Sequence, residues 1–131
     1  MKVEKIDHIC IAVKDLEKAE KNFNRLFGLV PDDRYIEEKE KINVIRYYIG
    51  EVALELMGST DGTGDVAKFL AKYGEGFYLL SLKVDDVEAA LKELKEKNIP
   101  LIDSFPRRWR NSRYIFLKPQ SMFGVLTELI D

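Results

Sequence analysis

The chain has 131 residues, of which 46% are hydrophobic and 34% are charged, and its formal net charge at pH 7 is -2. This size and balance predict one soluble globular domain, and the lack of a basic stripe argues against a nucleic-acid partner. No apolar stretch approaches the roughly 20 residues that span a bilayer and no signal-peptide run is present, so we expect no membrane partner and a cytoplasmic location.

The first predicted elements are a strand and an amphipathic helix. Residues 6–13 are rich in Ile and Val, which is typical of a strand. Asp15 is placed to cap a helix after that strand, and Gly28 is placed to end it. The apolar residues of this helix recur at helical spacing and predict one buried stripe, made of Leu16, Ala19, Phe23 and Leu26.

Three extended runs follow the first helix, at 32–39, 42–49 and 52–57, and each predicts a strand. The Gly-rich and polar stretch 58–65 predicts a linker, and the apolar spacing of 66–73 predicts a connecting helix.

The second half of the chain predicts the same order of elements. A strand at 78–84 precedes a helix that Asp86 caps and that Asn98 with Pro100 ends. Further strands are predicted at 100–103, 113–117 and 124–130. Each half therefore reads as a βαβββ module.

An internal repeat supports this division. Residues 7–27 align with 78–98 at an offset of 71, and "ALELM" at 53–57 resembles "LTELI" at 126–130 at an offset of 73. A short similarity can arise by chance, but here the predicted secondary structure matches as well. We therefore predict one domain, 1–131, whose modules at about 1–57 and 75–131 are joined by a linker and helix at 58–74.

Three polar residues lie on strand faces that are otherwise apolar. Alternation places His8, the only histidine, on the face opposite the first helix, and it leaves Glu55 and Glu128 between apolar neighbours. A buried carboxylate is costly unless it is paired, protonated or bound to a metal. The alternatives are a hydrogen-bonded core histidine and structural ion pairs of the glutamates with Arg46 or Arg113.

The only cysteine, Cys10, excludes an internal disulfide and a multi-cysteine zinc site. We predict that it is a small buried hydrophobic residue.

Three segments resemble a known family. "DHICIAVKDLEKA", "AKFLAKYGEGFYLLSLKVDDVEAAL" and "SRYIFLKPQSMFGVLTELID" are similar to the opening, central and final segments of vicinal oxygen chelate proteins, the glyoxalase, bleomycin resistance and dioxygenase superfamily. Within this superfamily, the three segments most resemble those of methylmalonyl-CoA epimerases and lactoylglutathione lyase-related proteins. The resemblance implies an α+β fold in which two paired βαβββ modules form a cupped eight-stranded sheet.

The resemblance also implies a divalent metal held by four side chains. Carried over by position, the ligands fall on His8, Glu55, Leu79 and Glu128, and leucine cannot bind a metal. Tyr78 has the opposite strand parity and cannot simply replace the missing histidine. The three remaining ligands could hold Co, Mn, Ni, Zn or Fe as a divalent ion, or the chain could lack a metal.

With a metal, the resemblance implies an epimerase, isomerase or lyase that acts on a CoA thioester or similar carbonyl compound through an enolate. The implied proton carriers are Glu128 and Glu38, with Glu37 and Glu40 as alternatives in the run "IEEKEK". A solvated edge strand is the structural alternative for this run.

Without a metal, the chain would be a small-molecule binding protein of the bleomycin-resistance type. A degenerate member that acts through protein contacts is a third alternative. Aromatic residues that could wall a ligand site are Tyr47, Tyr48, Trp109 and Phe123.

The cationic segment 105–114 could clamp a carboxylate or a CoA phosphate, or it could be an exposed turn. The predicted partners are a small-molecule substrate, for which an acyl-CoA is one candidate, and a second copy of the chain in a homodimer. The predicted substrate-binding residues are Arg107, Arg108, Trp109, Arg110, Tyr48 and Leu79.

Overall fold

The computed structural model describes every residue, Met1–Asp131. It contains eight strands, three α-helices and one short 3-10 helix. None of these helices has both the length and the apolar character needed to cross a membrane. The elements in chain order are β1 (Val3–Ala12), α1 (Leu16–Phe27), β2 (Asp33–Glu37), β3 (Ile42–Ile49), β4 (Val52–Ser59), α2 (Gly64–Tyr73), β5 (Gly76–Val84), α3 (Val87–Glu96), β6 (Arg107–Trp109), β7 (Ser112–Leu117), the 3-10 helix (Pro119–Met122) and β8 (Leu126–Ile130).

The strands form one eight-stranded sheet in the order β2-β3-β4-β1-β5-β8-β7-β6. β5 and β8 are parallel, whereas β2 with β3, β3 with β4, β6 with β7 and β7 with β8 are antiparallel, so the sheet is mixed. The order β1-β4-β3-β2 recurs as β5-β8-β7-β6. This agrees with the predicted α+β class and eight-stranded sheet.

The chain divides into two compact units that differ from the predicted modules at their edges. One unit consists of Ile9–Tyr78, and the other of Met1–His8 together with Leu79–Asp131. The division therefore falls within the strands β1 and β5.

In the unit Ile9–Tyr78, α1 packs on a buried cluster of Val13, Ile45, Tyr47 and Leu56. Asp15 caps the helix by accepting a hydrogen bond from the Lys18 backbone N–H at 3.0 Å, and Gly28 ends it with a left-handed backbone at φ 63°, as predicted. The helix residues that pack against the cluster are Leu16, Ala19 and Phe23.

Two predictions for this unit are wrong: the burial of Leu26 and the role of Tyr47 as a wall of a ligand site. Leu26 is 64% exposed, because the contact between α1 and the cluster ends at Phe23. Tyr47 was a candidate wall of a ligand site, but it is fully buried in the cluster, stacks on Phe23 and donates a 3.0 Å hydrogen bond to the Asn24 side chain. The burial of Tyr47 reflects its strand parity, which directs its side chain toward the helix.

In the other unit, α3 packs on a second core. Asp86 caps the helix by accepting hydrogen bonds from the backbone N–H groups of Glu88 and Ala89, as predicted. The buried residues of this core are Val84, Val87, Ala90, Leu91, Leu94, Ile115, Leu117 and Leu129.

The predicted strand at 100–103 is wrong. Only Leu101 forms an isolated bridge there, with Leu117, and the outer strand of this unit is β6, which forms a hairpin with β7. The Asp103 carboxylate accepts the Phe116 backbone N–H at 2.7 Å, so a side chain replaces the carbonyl that a continuous strand would have offered. Most of the cationic segment 105–114 forms the β6–β7 hairpin, with an exposed turn at 110–111.

Candidate functional site

His8 lies on β1 with only 7% of its surface exposed. Its Nδ1 is 2.7 Å from the Asp7 carboxylate, and its Nε2 is 3.5 Å from Oε1 of Glu128. When Nδ1 carries the proton and donates to Asp7, the lone pair of Nε2 is directed away from Asp7 and can bind a cation. A carboxylate that orients a histidine in this way is typical of a metal ligand.

Glu128 on β8 is 7% exposed and pairs in register with Ser81 on the parallel strand β5. The Ser81 hydroxyl donates a 2.6 Å hydrogen bond to Oε1 of Glu128. Leu79 precedes Ser81 by two residues, so it shares the same face, and it is 3% exposed. The position that would hold a histidine therefore contributes only an apolar side chain.

Sequence reasoning missed Ser81 as a site residue. The repeat offset of 71 that pairs Leu79 with His8 also pairs Ser81 with Cys10. Since both lie on the faces of the predicted site, this pairing was the signal that could have identified them.

Glu55 on β4 is 1% exposed and is held by three donors within its unit. Arg46 and Tyr35 donate to Oε2, at 2.8 Å and 3.0 Å, and the Cys10 thiol lies 3.4 Å from Oε1. The predicted ion pair of Glu55 with Arg46 is therefore present. Cys10 is fully buried, as predicted, but it makes a polar contact rather than a purely apolar one.

The groups around Glu55 have shifted pKa values. Burial raises the pKa of the Tyr35 phenol, and the Glu55 carboxylate raises it further, so the hydroxyl stays protonated at neutral pH. Burial alone would lower the pKa of the Arg46 guanidinium, but the attraction of Glu55 outweighs it and the net pKa is raised. Arg46 is therefore a permanent cation beside Glu55.

The alternative ion pair between a site glutamate and Arg113 is wrong. Arg113 lies 27% exposed near the start of α3, where it donates to the Asp131 carboxylate at 2.6 Å and lies 3.3 Å from Glu88. Its strand parity places it on the helix side of β7, opposite to the face that carries Phe116 and Glu128.

The donor set of the site fits a divalent cation. One ligand atom from each of His8, Cys10 and Glu55 lies within 4.8 Å of the other two, and all three residues are buried. Glu128 adds a carboxylate oxygen 3.5 Å from His8. Imidazole, carboxylate and thiol groups are the ligands that Zn²⁺ and neighbouring divalent ions use in proteins.

The glutamate predicted as the second proton carrier lies just after the second strand. Glu38 is exposed in the turn that follows β2. The β2 side chain that contacts Glu55 is Tyr35, which sequence reasoning missed because a tyrosine in a strand is usually a packing residue.

The predicted cationic residues separate onto the two faces of the β6–β7 hairpin. Arg107 shares a face with Tyr114 and Phe116, and its guanidinium pairs with Asp103 at 2.7 Å and lies 4.9 Å from the Phe116 ring. Arg108 pairs in register with Arg113 and faces the opposite side.

The remaining predicted binding residues are aromatic or lie at the hairpin turn. Trp109 lies on the same face of β6 as Arg107. Arg110 follows it with a left-handed backbone conformation, and its guanidinium lies 5.2 Å from the centre of the Trp109 ring. Tyr48 is 52% exposed and lies under the Arg46 guanidinium, at 5.1 Å, on the Glu55 side of β3. Phe123 is fully exposed.

Comparisons with known proteins agree with this fold. The model of the Glyoxalase/Bleomycin resistance protein/Dioxygenase superfamily matches residues 7–116. The uncharacterized protein YqjC of Bacillus subtilis is 32% identical over 130 residues, which make up 98% of this chain and 93% of that protein.

Methylmalonyl-CoA epimerases are also similar along nearly the whole chain. The mitochondrial enzyme of Bos taurus is 28% identical over 127 residues, which cover 95% of this chain and 73% of the bovine protein. A variant of the Streptomyces coelicolor enzyme, solved in complex with 2-nitronate-propionyl-CoA, superposes with a TM-score of 0.92 at 30% identity and covers 98% of this chain and 97% of its own. The eight-stranded sheet thus has the glyoxalase-like fold of these structures.

Proposed function

The chain belongs to the glyoxalase, bleomycin resistance protein and dioxygenase superfamily, and from this membership we propose that it is an epimerase or isomerase that acts on a CoA thioester, as methylmalonyl-CoA epimerases do. The observation that carries the proposal is the buried Glu128 carboxylate, which Ser81 holds beside Nε2 of His8. A buried, oriented carboxylate is the kind of base that can remove a proton next to a carbonyl group.

In this proposal Glu128 takes the α-proton of the thioester. The hydrogen bond from Ser81 to Oε1 fixes the orientation of the carboxylate that would accept the proton. Return of the proton to the same carbon from the opposite side inverts the centre. Glu38 is the proposed second proton carrier, as expected from the sequence, although it lies in an exposed turn.

His8, Glu55 and Glu128 would hold the divalent ion, for which Co, Mn, Ni, Zn and Fe are candidates. When bound, such an ion supplies Lewis-acid polarisation of a carbonyl oxygen. The contributions of the chain are to orient His8 through Asp7 and to place Glu55 against Arg46 and Tyr35.

Deuterium exchange tests the proposed activity. Methylmalonyl-CoA is incubated in D₂O with the metal-loaded protein, and incorporation at the α-carbon is followed by mass spectrometry. We expect incorporation well above the protein-free rate, and a loss of at least about a hundredfold in Glu128→Gln. Glu96→Gln, at an exposed position on α3, is the matched control. Exchange at the protein-free rate would contradict the proposal.

A second candidate function is metal-free binding of a small molecule, as in bleomycin-resistance proteins. Two observations favour it: the buried Leu79 replaces a ligand, and the Arg46 guanidinium already neutralises Glu55. This function predicts saturable binding of acyl-CoA by chelator-treated protein without exchange. Calorimetric titration before and after metal loading separates the two candidates.

We also propose that the protein works in the cytoplasm as a homodimer. The strands β2 and β6 end the sheet and leave edges that another chain can cover. Sedimentation equilibrium tests the assembly, and a monomeric mass across the working concentration range would contradict it.

A further inference from the structure

We propose that Cys10 is a thiolate ligand of the divalent ion and supplies the donor that Leu79 cannot. The inference rests on the metal dependence of the proposed function and adds a sulfur ligand to the set implied by the family resemblance. Its consequence is a site that prefers Zn²⁺ or Co²⁺ to Mn²⁺.

Cys10 lies close to two other candidate ligands, His8 and Glu55. His8 and Cys10 are two residues apart on β1, so their side chains share one face of the strand. The ligand atoms of His8, Cys10 and Glu55 lie within 4.8 Å of one another, a spread that one ion can bridge with small side-chain movements. None of the three residues exceeds 7% exposure.

The two carboxylate oxygens of Glu55 contact different side chains. Arg46 and Tyr35 both donate to Oε2, whereas the Cys10 sulfur lies against Oε1 at 3.4 Å. The oxygen that faces Cys10 is therefore the one not held by the guanidinium. Oε1 of Glu55 and the Cys10 sulfur would hold the ion, and the Arg46 ion pair to Oε2 would stay intact.

The other unit shows that a cysteine is not needed merely to hold the glutamate. At the equivalent position Ser81 donates to Glu128 at 2.6 Å, a shorter hydrogen bond than the thiol makes. A serine is therefore sufficient to donate a supporting hydrogen bond to the glutamate. A thiol forms weaker hydrogen bonds than a hydroxyl, but its thiolate is a far better ligand for a soft or borderline ion.

Leu79 and Tyr78 on β5 do not supply the missing donor. Leu79 is apolar, and the Tyr78 ring packs edge-on against Phe69 of α2 at 5.1 Å, on the helix side of β5. On binding, the S–H bond of Cys10 breaks, the sulfur keeps the electron pair and donates it to the ion, and the proton leaves to the solvent.

The electronic absorption spectrum of the Co²⁺-loaded full chain tests the inference. A sulfur ligand gives a charge-transfer band in the near ultraviolet, which nitrogen and oxygen ligands do not give. We expect this band in the wild type and its loss in Cys10→Ser, while the weaker visible bands of bound Co²⁺ persist. The wild-type spectrum is informative by itself, so the test does not depend on the folding of a variant.

Metal competition gives a second readout. Cys10→Ser should weaken Zn²⁺ binding by about tenfold or more, with a change in Mn²⁺ binding of less than about threefold, because Mn²⁺ gains little from a thiolate. Ser121→Cys, which places a thiol outside the site, is the matched control and should leave the charge-transfer band unchanged.

The outcomes separate this inference from the proposed function. Bound Co²⁺ without the ultraviolet band, or a band that survives in Cys10→Ser, would overturn the sulfur ligand even if deuterium exchange is observed. A band without exchange would support the ligand and contradict the epimerase proposal. Failure of Co²⁺ and Zn²⁺ to bind would overturn the inference, while metal-free exchange would preserve the activity.

Discussion

Cys10 and Ser81 make equivalent hydrogen bonds, each to the glutamate on the last strand of its own βαβββ module. The Cys10 thiol lies 3.4 Å from Oε1 of Glu55, and the Ser81 hydroxyl lies 2.6 Å from Oε1 of Glu128. The repeat has therefore preserved a donor and a carboxylate in each half while the donor atom has changed. Glu55 also accepts a hydrogen bond from the Arg46 guanidinium.

Removal of the Ser81 hydroxyl should impair the proposed base. Ser81→Ala leaves Glu128 without its 2.6 Å donor. We expect the exchange rate to fall about tenfold, which corresponds to about 1.4 kcal/mol for one lost hydrogen bond to a charged group. Ser121→Ala removes a hydroxyl that donates to the Pro100 carbonyl and is the control. Equal rates in the wild type and Ser81→Ala would show that Ser81 does not orient the base.

Variants of Glu38, in the turn after β2, and of Tyr35, within β2, test which of the two residues is the second proton carrier. If Glu38 has this role, Glu38→Gln should slow inversion of the substrate by about a hundredfold and leave exchange on one face largely intact. Tyr35→Phe, which removes the 3.0 Å hydrogen bond to Glu55, should then mainly lower stability, by about 1 kcal/mol. Chiral analysis of the deuterated product gives both rates. The reverse result would assign the role to Tyr35.

Arg46 should be required for stability because it neutralises a buried carboxylate. Arg46→Met leaves Glu55, which is 1% exposed, without its cation, and we expect a loss of about 3 kcal/mol in the free energy of unfolding. Adding Glu55→Gln should recover part of this loss, because the uncompensated charge is then gone. Urea unfolding at neutral pH measures both. A double variant less stable than Arg46→Met would contradict the explanation.

Asp131 should make stability depend on pH in the acidic range. Burial tends to raise the pKa of its carboxyl group, but hydrogen bonds from Arg113 and from the Val87 backbone N–H outweigh this and lower it below the ordinary value of 3.8. A lowered folded-state pKa means that the folded chain binds the proton more weakly than the unfolded chain. The stabilisation is therefore complete above the ordinary pKa and is lost as the pH falls through the lowered value.

Asp131→Asn should accordingly reduce the free energy of unfolding by about 1 kcal/mol at neutral pH. The difference from the wild type should shrink as the pH falls below about 4. Urea unfolding across this range measures the difference. A difference that stays constant or grows on acidification would show that the charge of Asp131 is not responsible.

The two neighbouring arginines of β6 should differ in their effect on acyl-CoA binding. Arg107 lies on the face of the hairpin that carries Phe116, and Arg108 lies on the opposite face. We expect Arg107→Ala to weaken acyl-CoA binding about tenfold and Arg108→Ala to change it less than about twofold. Calorimetric titration with CoA and with methylmalonyl-CoA measures both. Equal effects would indicate nonspecific attraction of the anion.

The amino-acid sequence by itself determined most of the elements and their order, but it placed a strand at 100–103 instead of at Arg107–Trp109. The capping residues Asp15 and Asp86 and the terminating Gly28 lie where local hydrogen bonds and backbone preferences require them, so they were predictable. The period of two in β1, β4 and β8 likewise identified His8, Glu55 and Glu128, because an imidazole or carboxylate among apolar neighbours needs a partner. The repeat predicted the βαβββ order, which occurs in both halves of the chain.

Only the tertiary structure decided which partners these groups have. Arg46 and Tyr35 reach Glu55 through the pairing of separate strands, and Asp103 replaces a strand carbonyl for Phe116, which local sequence patterns do not encode. Glu38 and Tyr35 are three residues apart, yet one lies in an exposed turn and the other contacts Glu55. Periodicity specifies the face on which a side chain lies, whereas strand register and burial determine what it meets there.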